Sequence, residues 1–246
     1  MPTASTVSAL GAIDILILAG GLGTRLRSVL SGRPKILAPI QGEPFLSHLL
    51  GRLSKQGARR IVLGLGHEAR SVLDYLAGRE FPGLQIVAMV EPQPLGTAGA
   101  VAFAASQLGS DPVMVINGDT WIEADLPAFL DEHTRIASPV SMICVRVPSP
   151  GRYGRVEIDT PGQVQTFREK DERELGPSWI NGGVYLFGRA MLERLATEIR
   201  SGSLERDVLG RLDPGSIHAF RTNGRFLDIG TPEDLAAAET LFVEHL

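Results

Sequence analysis

Short apolar runs alternate with stretches of helical spacing over the first 140 residues of the chain. Ile13-Asp-Ile-Leu-Ile-Leu-Ala19 is apolar and β-branched and then breaks into glycines, which predicts a buried strand ending in a loop. Pro44 to Gln56 places Phe45, Leu49 and Leu53 on one helical face, with Gly57 as a stop. Strands are expected at Arg60–Leu65, Gln85–Val90 and Pro112–Asn117, and helices at Ala69–Leu76, Thr97–Leu108 and Leu126–His133. Beyond residue 140 the rhythm changes. Strands at Val140–Val147, Gly154–Ile158 and Gly183–Phe187 have turn-rich connections, and helices are expected near Ala190–Arg200, Leu204–Leu209 and Pro232–Val243. Thr231 reads as the cap of that last helix, with Pro232 at its first position and acids in its first turn.

Strands alternating with helices predict an α/β fold: a Rossmann-like, mainly parallel sheet sandwiched by helices, extended by an α+β second half. Residues 1–12 read as a disordered tail and residues 13–246 as one domain. It divides into halves of about 13–140 and about 141–246. Ligands of such sheets gather at the carboxyl ends of the strands, where the glycine loop after Ala19 and the Gly118-Asp119 turn both lie.

Composition narrows the function classes. The net charge of −4 supplies no bulk basic field, so nucleic acid is not expected as a partner. No apolar run approaches the roughly 18 residues that span a membrane, and the first residues lack the features of a signal peptide. The single cysteine, Cys144, sits in an apolar run and reads as a small buried hydrophobe. The lack of a disulfide framework fits a cytoplasmic location. His48, His67, His133, His218 and His245 show no ligand spacing. Of the 24 basic residues only Lys35, Lys55 and Lys170 are lysines. An ammonium is a compact point charge that the guanidinium fork does not reproduce, which draws attention to those positions.

In Gly20-Gly-Leu-Gly-Thr-Arg25 the glycines let backbone N–H groups approach phosphate oxygens, and Arg25 with Arg33-Pro-Lys35 supplies cations. The loop is neither a Walker A motif nor the dinucleotide Gly-x-Gly-x-x-Gly. By itself it suggests phosphate binding and equally a plain turn.

The longer string Leu18-Ala-Gly-Gly-Leu-Gly-Thr-Arg-Leu26 followed by Arg33-Pro-Lys35 resembles the opening motif of the sugar-1-phosphate nucleotidyltransferases. The resemblance continues in family order through Glu91-x-x-Pro94-Leu-Gly-Thr-Ala-Gly-Ala100, Asn117-Gly-Asp119, Tyr153-Gly-Arg155, Glu169-Lys170, Asn181-Gly-Gly183 and Asp228-Ile-Gly-Thr-Pro232. It implies a nucleotide-diphospho-sugar transferase fold. It also implies in-line attack of a sugar 1-phosphate oxygen on the α-phosphorus of a nucleoside triphosphate, with pyrophosphate leaving. Two anions must meet, so positioning and charge neutralisation dominate and no protein nucleophile is needed.

Residue by residue, the resemblance implies Arg25, Lys35, Asp119 and Lys170 as the catalytic group. Leu18, Ala19, Gly20, Gly21, Gly23, Thr24, Arg25, Lys35, Glu91, Gly96, Thr97 and Asp119 would contact the nucleotide. Tyr153, Gly154, Glu169, Lys170, Asn181 and Gly182 would contact the sugar phosphate. Asp119 and Asp228 would hold Mg2+, the implied cofactor.

Glu91 bears on the base, because related thymidylyl enzymes carry glutamine there. A carboxylate only accepts hydrogen bonds, and guanine offers two adjacent donors, so GTP is favoured over UTP. The loop Arg27-Ser-Val-Leu30, Ala38-Pro-Ile40 and Pro44-Phe-Leu46 look most like bacterial D-glycero-D-manno-heptose 1-phosphate guanylyltransferases. Ile36 and Asp171 depart from that pattern. A mannose 1-phosphate guanylyltransferase and a muramic-acid-type uridylyltransferase stay open. A metal-dependent glycosyltransferase would carry Asp-x-Asp, whereas Asn117-Gly-Asp-Thr120 has one carboxylate. A silent binding relative would have lost the cations and aspartates kept here. GTP and a sugar 1-phosphate are thus the expected partners, with a homodimer left open by analogy alone.

Overall fold

The run Asp14–Ala19 forms β1, an interior strand of the main sheet in the computed structural model, which describes residues 9–243 apart from Leu22, Ser31, Gly151, Arg152 and 169–175. Ile15 and Ile17 point to one face of the sheet and Leu16 and Leu18 to the other, each set packed in its own apolar cluster. A strand covered on both faces has no polar side, which is why its sequence is an unbroken apolar run.

The strands after β1 are β2 (Pro39–Ile40), β3 (Glu43–Pro44), β4 (Arg60–Leu65), β5 (Gln85–Val90), β6 (Val113–Asn117) and β7 (Thr120–Ile122). They continue with β8 (Val140–Val147), β9 (Arg155–Ile158), β10 (Val164–Arg168), β11 (Ser178–Phe187), β12 (Ile217–Thr222) and β13 (Phe226–Asp228). The helices are α1 (Arg27–Leu30), α2 (Phe45–Lys55), α3 (Ala69–Ala77), α4 (Gly96–Ala104), α5 (Leu126–Ile136), α6 (Arg189–Glu198) and α7 (Pro232–Val243).

The main sheet runs β10-β9-β11-β6-β1-β4-β5, with β8 and β12 joined through β11. β1 is parallel to β4 and β6, and β4 to β5, so the expected parallel core is present. β11 enters antiparallel to β6, and the second half adds its strands around it. Phe45, Leu49 and Leu53 of α2 cover the face of Ile15, while Ala98 and Val101 of α4 and Leu192 of α6 cover the other.

The strand limits expected at Arg60–Leu65, Gln85–Val90 and Val140–Val147 coincide with the observed ones. β11 begins five residues earlier than the expected Gly183, at Ser178. The Thr97–Leu108 helix stops at Ala104 and tightens into a 3-10 turn at Ala105–Gln107. The Leu204–Leu209 segment is a π turn, Leu204–Val208, followed by a 3-10 turn. The expected tail needs correction where it meets β1. Ala9–Ala12 form a 3-10 turn and Leu10 is fully buried, because one leucine is enough to pin a short turn to the core. Residues 1–8 lie outside the described residues. No helix among the described residues is long and apolar enough to cross a membrane.

Cys144 is buried, and burial pushes its thiol well above the usual range, as expected of a packing residue. His133 Nδ1 lies 2.7 Å from Ser141 Oγ and His48 Nε2 lies 2.9 Å from the Ile40 carbonyl, both ordinary packing roles.

Candidate active site

A cavity of about 380 Å³ opens at the carboxyl ends of β1, β5 and β6. Its floor exists because β1 and β6 end side by side: the Gly118 N–H donates to the Leu18 carbonyl at 2.8 Å. Leu18, Ala19, Gly20, Gly21, Lys35, Glu91, Gly96, Thr97 and Asp119, all expected at the nucleotide, line it together. Ile36, Pro94, Ala100, Asn117 and Gly118 line it as well, and the sequence assigns them no contact with the nucleotide. Asn117-Gly118 was visible as part of a motif, but only its aspartate had been given a role.

Glu91 follows β5 and turns its carboxylate inward. Its Oε2 accepts from the Leu95 N–H at 3.1 Å. A Cβ on Gly20 would stand 2.9 Å from its Oε1, so only a glycine there lets the carboxylate lie against the loop. Burial raises the Glu91 carboxyl above the ordinary carboxylate range, partly offset by the Leu95 hydrogen bond.

Lys35 opens a 3-10 turn behind the extended Pro34, and its Nζ donates to Asp119 Oδ2 at 2.8 Å. The pair joins the glycine-loop side of the cavity to the turn after β6. Its lysine side chain is 17% exposed and its aspartate 36%, so Asp119 stays reachable from solvent.

Asp119 and Asp228 come from segments far apart in sequence, and the ladder between β7 and β13 brings those segments together. Asp228 pairs with Thr120, and the Ile229 N–H donates to the Asp119 carbonyl at 2.9 Å. Asp119 lines the cavity and Asp228 does not, but the ladder brings their backbones together, and one or two carboxylates are what Mg2+ favours, since phosphate oxygens and waters complete its octahedron. Among the described residues no group of three or more His, Cys, Asp or Glu forms a richer metal cage. Next to Asp228, Thr231 and Asp234 cap α7: the Asp234 N–H donates to Thr231 Oγ1 at 3.3 Å, and Thr231 Oγ1 donates to Asp234 Oδ2 at 2.9 Å.

Other expected residues lie elsewhere. Arg25 is exposed on the 3-10 turn Thr24–Leu26 and is not among the residues lining the cavity. Gly23 precedes that turn with a left-handed φ of 57°. Tyr153 packs edge-on against Phe226 at 5.3 Å, and Gly154 leads into β9. Asn181 Nδ2 donates to the Tyr185 hydroxyl at 2.7 Å. Gly182 is buried rather than open. A Cβ there would lie 2.7 Å from Ile122 Cδ1 and 2.9 Å from the Ile143 carbonyl oxygen, so close packing explains its glycine. Glu169 and Lys170 lie outside the described residues.

The chain is similar to known proteins over most of its length. The family model described as nucleotidyl transferase matches residues 15–244. D-glycero-alpha-D-manno-heptose 1-phosphate guanylyltransferase of Aneurinibacillus thermoaerophilus is 34% identical over 228 residues, covering 92% of this chain and 97% of that protein. Mannose-1-phosphate guanylyltransferase of Mycobacterium tuberculosis is 36% identical over 225 residues, 90% of this chain but 62% of that protein, so this chain spans less than two thirds of that relative. The crystal structure of HddC from Yersinia pseudotuberculosis complexed with GMP-PN superposes with a TM-score of 0.83 at 34% identity, covering 94% of this chain and 99% of that one.

Proposed function

The chain belongs to the nucleotidyl transferase family, and from that premise we propose that it transfers GMP from GTP to a sugar 1-phosphate. The observation that carries the reading is the Lys35–Asp119 pair spanning a cavity walled by the glycine loop and Glu91. A phosphate oxygen of the sugar 1-phosphate attacks the α-phosphorus of GTP. The bond from that phosphorus to the bridging oxygen breaks, and pyrophosphate leaves with the electron pair. The products are a GDP-sugar and pyrophosphate.

Each wall has a task. Backbone N–H groups of the glycine loop and the Lys35 ammonium bind the triphosphate and meet the charge that grows on the leaving group. Asp119 and Asp228 would hold Mg2+, which supplies charge neutralisation between the two anions when bound. Glu91 accepts from the ring N–H and amino group of guanine, and the guanylyltransferase names of the relatives support that base. Lys170, with Glu169, Tyr153, Gly154 and Asn181, binds the sugar phosphate in this reading.

For the sugar we favour D-glycero-D-manno-heptose 1-phosphate, supported by the likeness of the Arg27–Leu30, Ala38–Ile40 and Pro44–Leu46 segments and by the heptose-type relative. The product would feed cell-surface polysaccharide synthesis in the cytoplasm. Mannose 1-phosphate is the second reading, favoured by the similar identity to the mycobacterial relative. The test is pyrophosphate release from four nucleoside triphosphates against heptose and hexose 1-phosphates. GTP with the heptose phosphate should give the highest kcat/KM. A preference for mannose 1-phosphate transfers the assignment to the second reading. Consumption of a nucleotide sugar without pyrophosphate release from any pair would refute both.

A further inference from the structure

The Glu205 carboxylate lies behind the cavity wall and receives four neutral donors. Its Oε1 accepts from the Tyr185 hydroxyl at 3.1 Å and Asn117 Nδ2 at 3.4 Å. Its Oε2 accepts from Thr97 Oγ1 at 3.3 Å and Ser203 Oγ at 3.1 Å. Thr97 and Asn117 both line the nucleotide cavity. Tyr185 is fully buried in β11 and in turn accepts from Asn181 Nδ2 at 2.7 Å. Asn181 Oδ1 takes the Gly183 N–H at 2.9 Å, where β11 slips out of register with β8. One carboxylate thus connects the wall of the nucleotide cavity with the strand that carries part of the sugar-phosphate group.

The element bearing Glu205 is docked with care. The Ala98 N–H donates to the Gly202 carbonyl at 2.9 Å, the Gly202 N–H to the Leu95 carbonyl at 2.8 Å, and the Leu204 N–H to Thr97 Oγ1 at 2.7 Å. Gly96 sits at a φ of 71°, and a Cβ there would lie 2.4 Å from the Gly202 oxygen. The π turn Leu204–Val208 is an unusual conformation that exposes side chains at a spacing an α-helix does not provide. Burial, and the carboxylate beside it, push the Tyr185 phenol well above its usual range, so it stays a donor. An ionised carboxylate can accept all four donors at once.

We infer that Glu205 is a positioning residue: it fixes Thr97 and Asn117 on the nucleotide side and, through Tyr185, Asn181 on the sugar side. The inference rests on the transfer reaction proposed above. In-line transfer needs the attacking oxygen and the α-phosphorus held in register, and a shared clamp supplies that register without touching either substrate.

Steady-state kinetics of Y185F, E205A and E205Q test it, with melting and near-ultraviolet circular dichroism as controls for folding. Y185F removes a hydroxyl shared by Glu205, Asn181 and Asn117, so KM for the sugar 1-phosphate should rise about tenfold and KM for GTP less, by about threefold. E205A should lower kcat about thirtyfold as well. E205Q keeps an acceptor for Tyr185 and Asn117 and can donate to the two hydroxyls, so it should return to within about threefold of wild type. The double variant E205A/Y185F should be no worse than E205A for the sugar phosphate, as expected of one coupled path. A folded Y185F with both KM values unchanged overturns the inference, and so does an E205Q as impaired as E205A. A wild-type protein that releases no pyrophosphate with any sugar 1-phosphate removes the proposed reaction and this clamp together. Normal wild-type turnover with unaffected variants removes the clamp alone.

Discussion

Lys35 Nζ and Asp119 Oδ2 stand 2.8 Å apart, joining residues that are 84 positions distant in sequence and both line the cavity. In the proposed reaction each must serve a different charge: the ammonium the triphosphate, the carboxylate the metal. Substrate binding therefore exchanges one ion pair for two stronger charge-assisted contacts. Replacing Lys35 by methionine keeps the stem and removes the charge, and should lower kcat by about 100- to 1,000-fold. Lys35→Arg should recover little of this, since a planar fork does not occupy the place of a point charge. Initial rates of pyrophosphate release check both, and an arginine variant near wild type would contradict the point-charge role.

In the proposed reaction Glu91 should make GTP binding depend on pH. Burial raises its carboxyl, so as pH falls it takes up a proton earlier than an ordinary carboxylate and loses acceptor capacity for guanine. GTP affinity should weaken on acidification with an inflection above the usual glutamate value. Glu91→Gln should weaken binding at neutral pH about tenfold and abolish that inflection. Calorimetric titration of GTP from pH 4.5 to 8, compared between the two proteins, separates this from titration of the triphosphate itself. Identical profiles would exclude Glu91 as the base reader.

Gly20 tests the same contact from the other side. An alanine Cβ would come within 2.9 Å of Glu91 Oε1 and must displace it. Gly20→Ala should raise KM for GTP about tenfold, with little change in KM for the sugar phosphate. Equal changes in both values would mean that the loop as a whole had moved.

These residues differ in how readable they were. Lys35, Glu91 and Asp119 sit in compact motifs, and the resemblance of those motifs to the family's is enough to find them. Glu205 is not legible in this way. Its partners Thr97, Asn117 and Tyr185 lie 108, 88 and 20 residues away, and only the folded chain brings them together. The same holds among the elements. β1 and β4 announce themselves as apolar runs, whereas β7 and β13 have three residues each, too few to show a period. Yet that short ladder is what sets Asp119 beside Asp228. β10 and β12 were missed because their exposed faces interrupt the apolar signal. Leu10 went unread because a single leucine carries no periodicity.

Asp14, at the start of β1, couples stability to acid. Burial alone would raise its carboxyl, but hydrogen bonds from the Gly109 and Ser110 N–H groups and from Arg60 outweigh it and hold the value below normal. A depressed folded value means that the unfolded chain takes the proton first. The contribution is therefore fully present above the ordinary aspartate value near pH 4 and is lost as pH falls through the lower folded value. Asp14→Ala should cost about 2 kcal/mol at pH 7, leaving those donors unpaired. It should also flatten the loss of stability below pH 4. Urea unfolding at pH 3 and pH 7 measures both, and an unchanged difference between the two pH values would contradict the assignment.

The most direct test of the nucleotidyl-transfer account is pyrophosphate release by wild type and Asp119→Ala with GTP, a sugar 1-phosphate and Mg2+. The wild type should release pyrophosphate only when both substrates are present, one for each GDP-sugar formed, and the variant should be slower by at least about 100-fold while remaining folded. Full turnover by Asp119→Ala would contradict the account.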